Sequence, residues 1–211
     1  AAVRGMRNPM NSWDKSDSDW DWVEDKSPIN PNGPGMCYVL GDNDLSLMQK
    51  LIASGSDHRK FMRMIVVTCD ATAPIYWWSE YDTYKVGTVA NSCSKMHKIH
   101  AKEFTLDDFS HEHLYAATCG PDAPENVLHH IIYVLNFHRR MFLRTKDKDH
   151  WWQMIQLLPS SYNQRRTVLL NYEVLRNIYH ARKNHKLDCW VDFCKWIETL
   201  PYGKELICDV D

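Results

Sequence analysis

At 211 residues the chain suits one domain, or one domain with a small appendage. Its 44% hydrophobic content is that of a globular protein, and a formal charge of −2 supplies no global basic field, so binding to nucleic-acid polymers is not expected. No apolar run reaches the length of a membrane span.

The N-terminus lacks the apolar stretch of a secretory leader, and the seven cysteines include no C-x-x-C spacing. Reduced thiols in a cytoplasmic protein are therefore expected, with no disulfide scaffold and no bound metal. Nine Trp, ten Tyr and six Phe supply large buried area and also suit flat-ring ligands.

Residues 1–35 are polar and rich in Asp, Ser, Asn, Pro and Gly, punctuated by Trp13, Trp20 and Trp22. They read as an arm that docks on the domain or on a neighbouring subunit, with 36–211 as a single domain. Asp42 or Asn43 is placed to cap a helix over 44–54, with Leu45, Met48, Leu51 and Ile52 as its apolar stripe and Gly55 as its stop. The β-branched run within 61–70 predicts a strand ended by Pro74, and 75–81 predicts a short aromatic helix.

Residues 82–100 are small, polar and weakly periodic, which predicts a binding loop. A loop-rich insertion over 101–124 precedes a long helix over 125–145, whose stripe includes Val127, Leu128, Ile131, Leu135 and Phe142. Asp147 or Asp149 opens a further helix that Pro159 stops. A loop and strand over 160–170 lead to helices near 171–183 and 188–199. Helices and strands do not alternate regularly, so the expected class is α+β, a small mixed sheet with several long helices.

Two separated blocks carry a family resemblance. In the first, Ala73-Pro74-Ile75-Tyr76 leads through a short helix to Thr83-Tyr84-Lys85 and then to Cys93 and Lys95; a one-residue shift places Ser94 and Asn91 instead, and both registers stay open. In the second, Leu158-Pro159 is followed by Asn171, Leu175, Asn177 and Arg182. In order and spacing these resemble the flavin-dependent thymidylate synthases. There the first block reads Arg-His-Arg, seven residues, Ser, any residue, Arg. This chain departs from that pattern: Thr83 and Tyr84 replace the first Arg and His, Lys85 and Lys95 replace Arg, and Ile155 stands where an Arg is frequent.

The resemblance implies FAD as cofactor and methylation of dUMP at C5, with methylenetetrahydrofolate and NADPH as cosubstrates. It also implies a homotetramer. It implies that Arg59, Tyr84, Lys85, Asn91, Asn171 and Asn177 contact the cofactor. It assigns Glu80, Ser92, Cys93, Ser94, Lys95 and Arg182 to the nucleotide, with Arg182 as the catalytic cation. Lys is a point charge where Arg is a bidentate fork, so the departures keep a related modifier of dCMP, a hydroxymethylating enzyme and a non-catalytic nucleotide-binding relative as alternatives. Cys93 reads as a small buried hydrophobe before it reads as a nucleophile. Asn171 also reads as a helix N-cap, and Arg182 as a cation complementing a helix C-terminus.

Overall fold

A computed structural model describes residues 1–210. The chain divides into two compact units. One comprises Ala1–Cys69, Tyr84–Val89 and the chain from Leu169 onward; the other comprises Asp70–Thr83 and Ala90–Val168.

In the first unit, helix α1 (Ala2–Arg7) precedes strands β1 (Asp19–Val23) and β2 (Gly35–Val39), which pair antiparallel from Asp19↔Val39 to Val23↔Gly35. Helix α2 (Asp42–Ala53) follows. Its first amides are satisfied from outside: the Asp17 carboxylate accepts from the N–H groups of Asn43 (2.9 Å) and Asp44 (3.0 Å). The expected caps, Asp42 and Asn43, lie inside the helix, whose N-cap is Gly41. Asp44 is fully buried and binds Arg7 (2.7 Å), Ser16 (2.7 Å) and Ser18 (2.6 Å). Residues 7–18 are therefore fastened to α2 by two carboxylates, Asp44 and Asp17.

The strand expected within 61–70 begins later. Lys60–Met64 form a 3₁₀ turn that buries the adjacent side chains Phe61 and Met62, which a half-buried strand would send to opposite faces. Strand β3 then runs Val66–Pro74. Helices α7 (Tyr172–Arg182) and α8 (Asp188–Glu198) and a π-helical turn (Lys204–Cys208) complete this unit. Helix α7 buries Val174, Leu175 and Ile178, each contributing about 1.5–3 kcal/mol against exposure to water.

In the second unit, helix α3 (Ile75–Tyr81) follows Pro74 and packs Trp77, Trp78 and Tyr81 as a buried ring cluster. The Trp78 indole donates to the Gln164 carbonyl (2.8 Å), and Arg166 lies 4.3 Å over its ring. Where the sequence predicted a loop, strand β4 (Val89–Ser92) and helix α4 (Lys95–Lys98) form. Helices α5 (Pro124–Thr145) and α6 (Lys148–Leu157) make an antiparallel hairpin. It turns at Lys146 in the left-handed region (φ 59°), and the Asp147 side chain caps α6. Its core joins Leu128, Ile132, Leu135 and Met154 to Ile99, Phe104 and Phe109.

Strand β5 (Asn163–Asn171) is central in a three-stranded sheet of order β3-β5-β4, each strand having residues in both units. Small sheets with several long helices make the class α+β, as the sequence predicted. Among the described residues, no helix is long and apolar enough to cross a membrane.

Candidate functional site

Arg182 is the last residue of α7, and its half-buried guanidinium sits in an aromatic setting. It lies 4.9 Å from the Trp190 ring centroid and 5.9 Å from that of Tyr84. Its Nε donates to the Tyr84 hydroxyl (3.0 Å), and its Nη1 meets His185 Nε2 at 2.9 Å. Tyr84 and Trp190 meet edge to face at 6.1 Å. The turn after α7 brings this about by reversing the chain into α8, which carries the fully buried Trp190.

The His185 ring makes this contact exchangeable. Its Nδ1 faces the Leu187 N–H at 3.2 Å while its Nε2 faces the guanidinium. A neutral imidazole has one bare nitrogen and accepts from only one of these donors. In the tautomer whose bare nitrogen is Nδ1, the imidazole accepts from Leu187 and not from Arg182, and an incoming carbonyl or anionic oxygen takes the guanidinium without the loss of a full hydrogen bond.

Asn171 is the N-cap of α7. Its Oδ1 accepts from the Val174 N–H (3.0 Å), while its Nδ2 donates to the carbonyls of Val86 (3.5 Å) and Gly87 (3.4 Å). This buried amide thus starts the helix and also holds the loop that carries Tyr84 and Lys85. Gly87 has φ +71°, and a Cβ there would lie 2.9 Å from the Asn171 amide, so both conformation and space require glycine. Arg59 pairs with Glu173 in the first turn of α7 (3.6 Å), joined by Arg63. Asn177 and Lys85 are exposed. Of the expected cofactor residues, then, Tyr84 contacts Arg182, Asn171 and Arg59 secure α7 and its neighbouring loop, and Asn177 and Lys85 face outward.

The other expected residues lie in the second unit. Glu80 is half-buried on α3, and Asn91 and Ser92 are exposed on β4. Cys93, Ser94 and Lys95 line a pocket of about 230 Å³ with Lys98, Lys102 and Arg165. Ser94 caps α4 by accepting from the His97 N–H (3.2 Å), and Cys93 is exposed with its carbonyl bound by Gln164 (3.1 Å). The exposed Cys93 differs from the buried hydrophobe expected; β4 is exposed along its whole length, and Cys93 continues it outward. Lys102 is paired with Asp108 and Arg165 with Asp70, which leaves Lys95 and Lys98 as the pocket cations outside those pairs. Hydroxyl, thiol and ammonium groups in one concavity suit an anionic oxygen ligand.

Burial and the neighbouring Cys208 push the Cys194 thiol up to about 11, so it is no nucleophile at neutral pH. Among the described residues, no group of three or more His, Cys, Asp or Glu could hold a metal ion. The sequence reading missed His185, Trp190, Lys98 and Arg165. His185 lies three residues past Arg182, a spacing of one helical turn that the sequence offers. Trp190 reaches Arg182 through the turn into α8 and Arg165 reaches the pocket through β5, and spacing carries no signal for these two.

No protein-family model matches the sequence, and no curated protein matches it. Solved structures do match. One is the flavin-dependent thymidylate synthase ThyX from Helicobacter pylori complexed with FAD and dUMP (TM-score 0.65, 16% identity), covering 99% of this chain and 93% of that one. A second structure of the same enzyme with FAD and dUMP matches equally (TM-score 0.65, 15% identity), covering 99% and 92%. The UMP/dUMP methylase PolB from Streptomyces cacaoi bound with 5-Br UMP also matches (TM-score 0.53, 13% identity), covering 92% and 95%. At these identities the likeness is one of architecture: the chain has the fold shared by these proteins.

Proposed function

We propose that the chain is a flavin-dependent enzyme that modifies a pyrimidine nucleotide, methylating dUMP at C5 with methylenetetrahydrofolate as carbon donor and NADPH as the source of reducing equivalents. The observation that carries this reading is the Arg182 guanidinium, held by Tyr84 and Trp190 with an exchangeable imidazole contact, at the end of the helix that Asn171 caps. The relatives by fold are described as binding FAD and dUMP, or as a UMP/dUMP methylase.

The residues present fit such ligands. Tyr84 offers a ring edge, Asn177 an exposed amide and Lys85 an exposed cation for a flat polar ring system and its phosphates. Asn91 is a further exposed cofactor contact, while Asn171 and Arg59 act by positioning. Bound FAD, once reduced, would supply the hydride that completes the transferred methyl group.

Arg182 has the electrostatic task. A guanidinium against a pyrimidine carbonyl oxygen stabilises the negative charge that develops as the ring is attacked, and its aromatic surroundings weaken screening by water. In the second unit, Lys95 with Cys93 and Ser94 lines the pocket assigned to anionic oxygens of the nucleotide, while Ser92 and Glu80, which are not in that lining, are assigned to the nucleotide by the family resemblance alone. Replacement of the bidentate Arg forks by Lys would leave the nucleotide phosphate to point charges, which bears on phosphate geometry and not on the base or the group transferred.

The test is product analysis. The chain is incubated with FAD, NADPH, methylenetetrahydrofolate and either dUMP or dCMP, and the nucleotides are read by mass spectrometry. A product one methyl group heavier than dUMP supports the reading. Turnover of dCMP alone, or addition of a hydroxymethyl group, establishes the alternative. No product from a chain that retains flavin leaves a nucleotide-binding homologue.

A further inference from the structure

The β1/β2 pair carries an inverted face. Trp20 stands opposite Tyr38 and Trp22 opposite Met36, so strand alternation places all four side chains on one side. They are 62%, 41%, 57% and 56% exposed. Trp20 and Tyr38 meet edge to face at 5.8 Å.

The surroundings of this face are acidic. Between residues 14 and 25 the chain has six acids against one lysine, although its total charge is only −2. Asp14, Asp19, Asp21, Glu24 and Asp25 are exposed. The carboxylates of Asp19 and Asp21 accept from the backbone N–H groups of Trp20 and Trp22 (2.8 Å each) and, although strand alternation starts them on the other face, border one concavity at the strand edge together with Trp20. An electron-rich ring face among carboxylates favours a cation and disfavours an anion.

The face does not end at the strands. Tyr38 also borders an apolar cavity of about 590 Å³ lined by Leu40, Met48, Met64, Val66 and Leu206. The two tyrosine hydroxyls at its wall are already used: that of Tyr172 donates to the Pro201 carbonyl (2.5 Å), and that of Tyr202 accepts from the Leu40 N–H (2.8 Å). The cavity therefore selects an apolar group of side-chain size or larger. None of its lining residues has a role in the proposed reaction.

We propose that the Trp20/Trp22 face and the adjoining cavity bind a polypeptide segment of another protein in which lysine or arginine alternates with bulky apolar residues. The cationic head groups lie over the indoles among the carboxylates, and an apolar side chain fills the cavity. Charge selects this occupant over acidic segments and over anionic lipid surfaces.

The test uses the full chain and fluorescently labelled synthetic peptides read by anisotropy: one alternating lysine and leucine, one glutamate and leucine, one lysine and serine. The lysine–leucine peptide is expected to bind, more weakly as salt is raised. The glutamate–leucine peptide is expected not to bind. Loss of the cavity anchor weakens the lysine–serine peptide at least about tenfold, the scale of one buried apolar side chain. The double variant Trp20→Ser/Trp22→Ser, whose positions face solvent, keeps its melting temperature and loses at least about tenfold in affinity for the lysine–leucine peptide. Unchanged binding by this variant, equal binding of the lysine–leucine and lysine–serine peptides, or no binding at all would overturn the proposal. So would sedimentation showing that the chain self-associates and that the double variant abolishes it, because the face would then be occupied by a second copy. Flavin retention is unaffected in either case, so this outcome is independent of the proposed enzymatic function.

Discussion

Substitutions at Asn171 separate helix capping from loop positioning, because the two ends of its amide serve the two tasks separately. Asn171→Ala removes the acceptor for the Val174 N–H (3.0 Å), a cap whose loss costs about 1 kcal/mol. The donor contacts to Val86 and Gly87, at 3.5 and 3.4 Å, are long; both carbonyls are on an exposed loop where water replaces the amide, so they add only about 0.5 kcal/mol. The expected loss is about 1–2 kcal/mol, or a melting temperature lower by about 2–8 °C in a chain of this size.

Asn171→Asp behaves differently. The carboxylate caps as well as the amide does and complements the helix dipole, so stability stays within about 0.5 kcal/mol. However, it sets negative charge against two carbonyl oxygens and drives away the loop carrying Tyr84. Flavin affinity is expected to fall about tenfold, or 1.4 kcal/mol. Urea denaturation and flavin titration of both variants decide the matter. Equal destabilisation by Ala and Asp would refute the capping argument, and wild-type flavin affinity in the Asp variant would refute the positioning argument.

Gly87→Ala should mimic the loop defect, lowering flavin affinity, since its φ of +71° and the 2.9 Å approach of the Asn171 amide both oppose a Cβ; titration against wild type reads this. Asp44→Ala should cost about 3–5 kcal/mol in urea denaturation because it strands the buried Arg7 charge. Burial alone would raise the Asp44 pKa, but hydrogen bonds from Ser16, Ser18 and Arg7, with the Arg7 charge, hold it below the usual carboxylate range. Its contribution is therefore complete at neutral pH and is lost as pH falls below that range; an acid melt of wild type against Asp44→Asn should show a smaller pH dependence in the variant. In the α5–α6 hairpin, His138 and His150 meet Nδ1 to Nδ1 at 2.9 Å. Burial, then the His150 charge, lowers the His138 pKa below 6.5. The hairpin should lose stability as pH falls through that range, and His150→Gln should flatten the profile of melting temperature against pH.

Several elements were legible because local chemistry specifies them. Pro74 before an aromatic run set α3, and Asn171 ahead of an apolar periodicity set the start of α7. Strand β4 was not legible: all four residues are exposed and show no alternation, so the strand exists only through its place beside β5. Residues 7–18 read as a loose polar arm because their order comes from contacts with the remote start of α2, through the carboxylates of Asp44 and Asp17. Arg182 was singled out by the family spacing and Tyr84 as a loop aromatic suited to stacking, and the structure brings the two together. Trp190 escaped because its approach depends on a chain reversal that no local pattern encodes, whereas His185, three residues past Arg182, was within reach of a local reading that singled out only the cation.

The most direct test of a flavin-dependent function is the visible absorbance of the purified chain after incubation with FAD and removal of unbound cofactor, for wild type and for Tyr84→Leu, which removes the hydroxyl that meets Arg182. The expected result is flavin retained by wild type, with the retained fraction sharply lower in a folded Tyr84→Leu variant. A folded wild-type chain that retains no flavin would contradict the proposed function, leaving the shared fold without this chemistry.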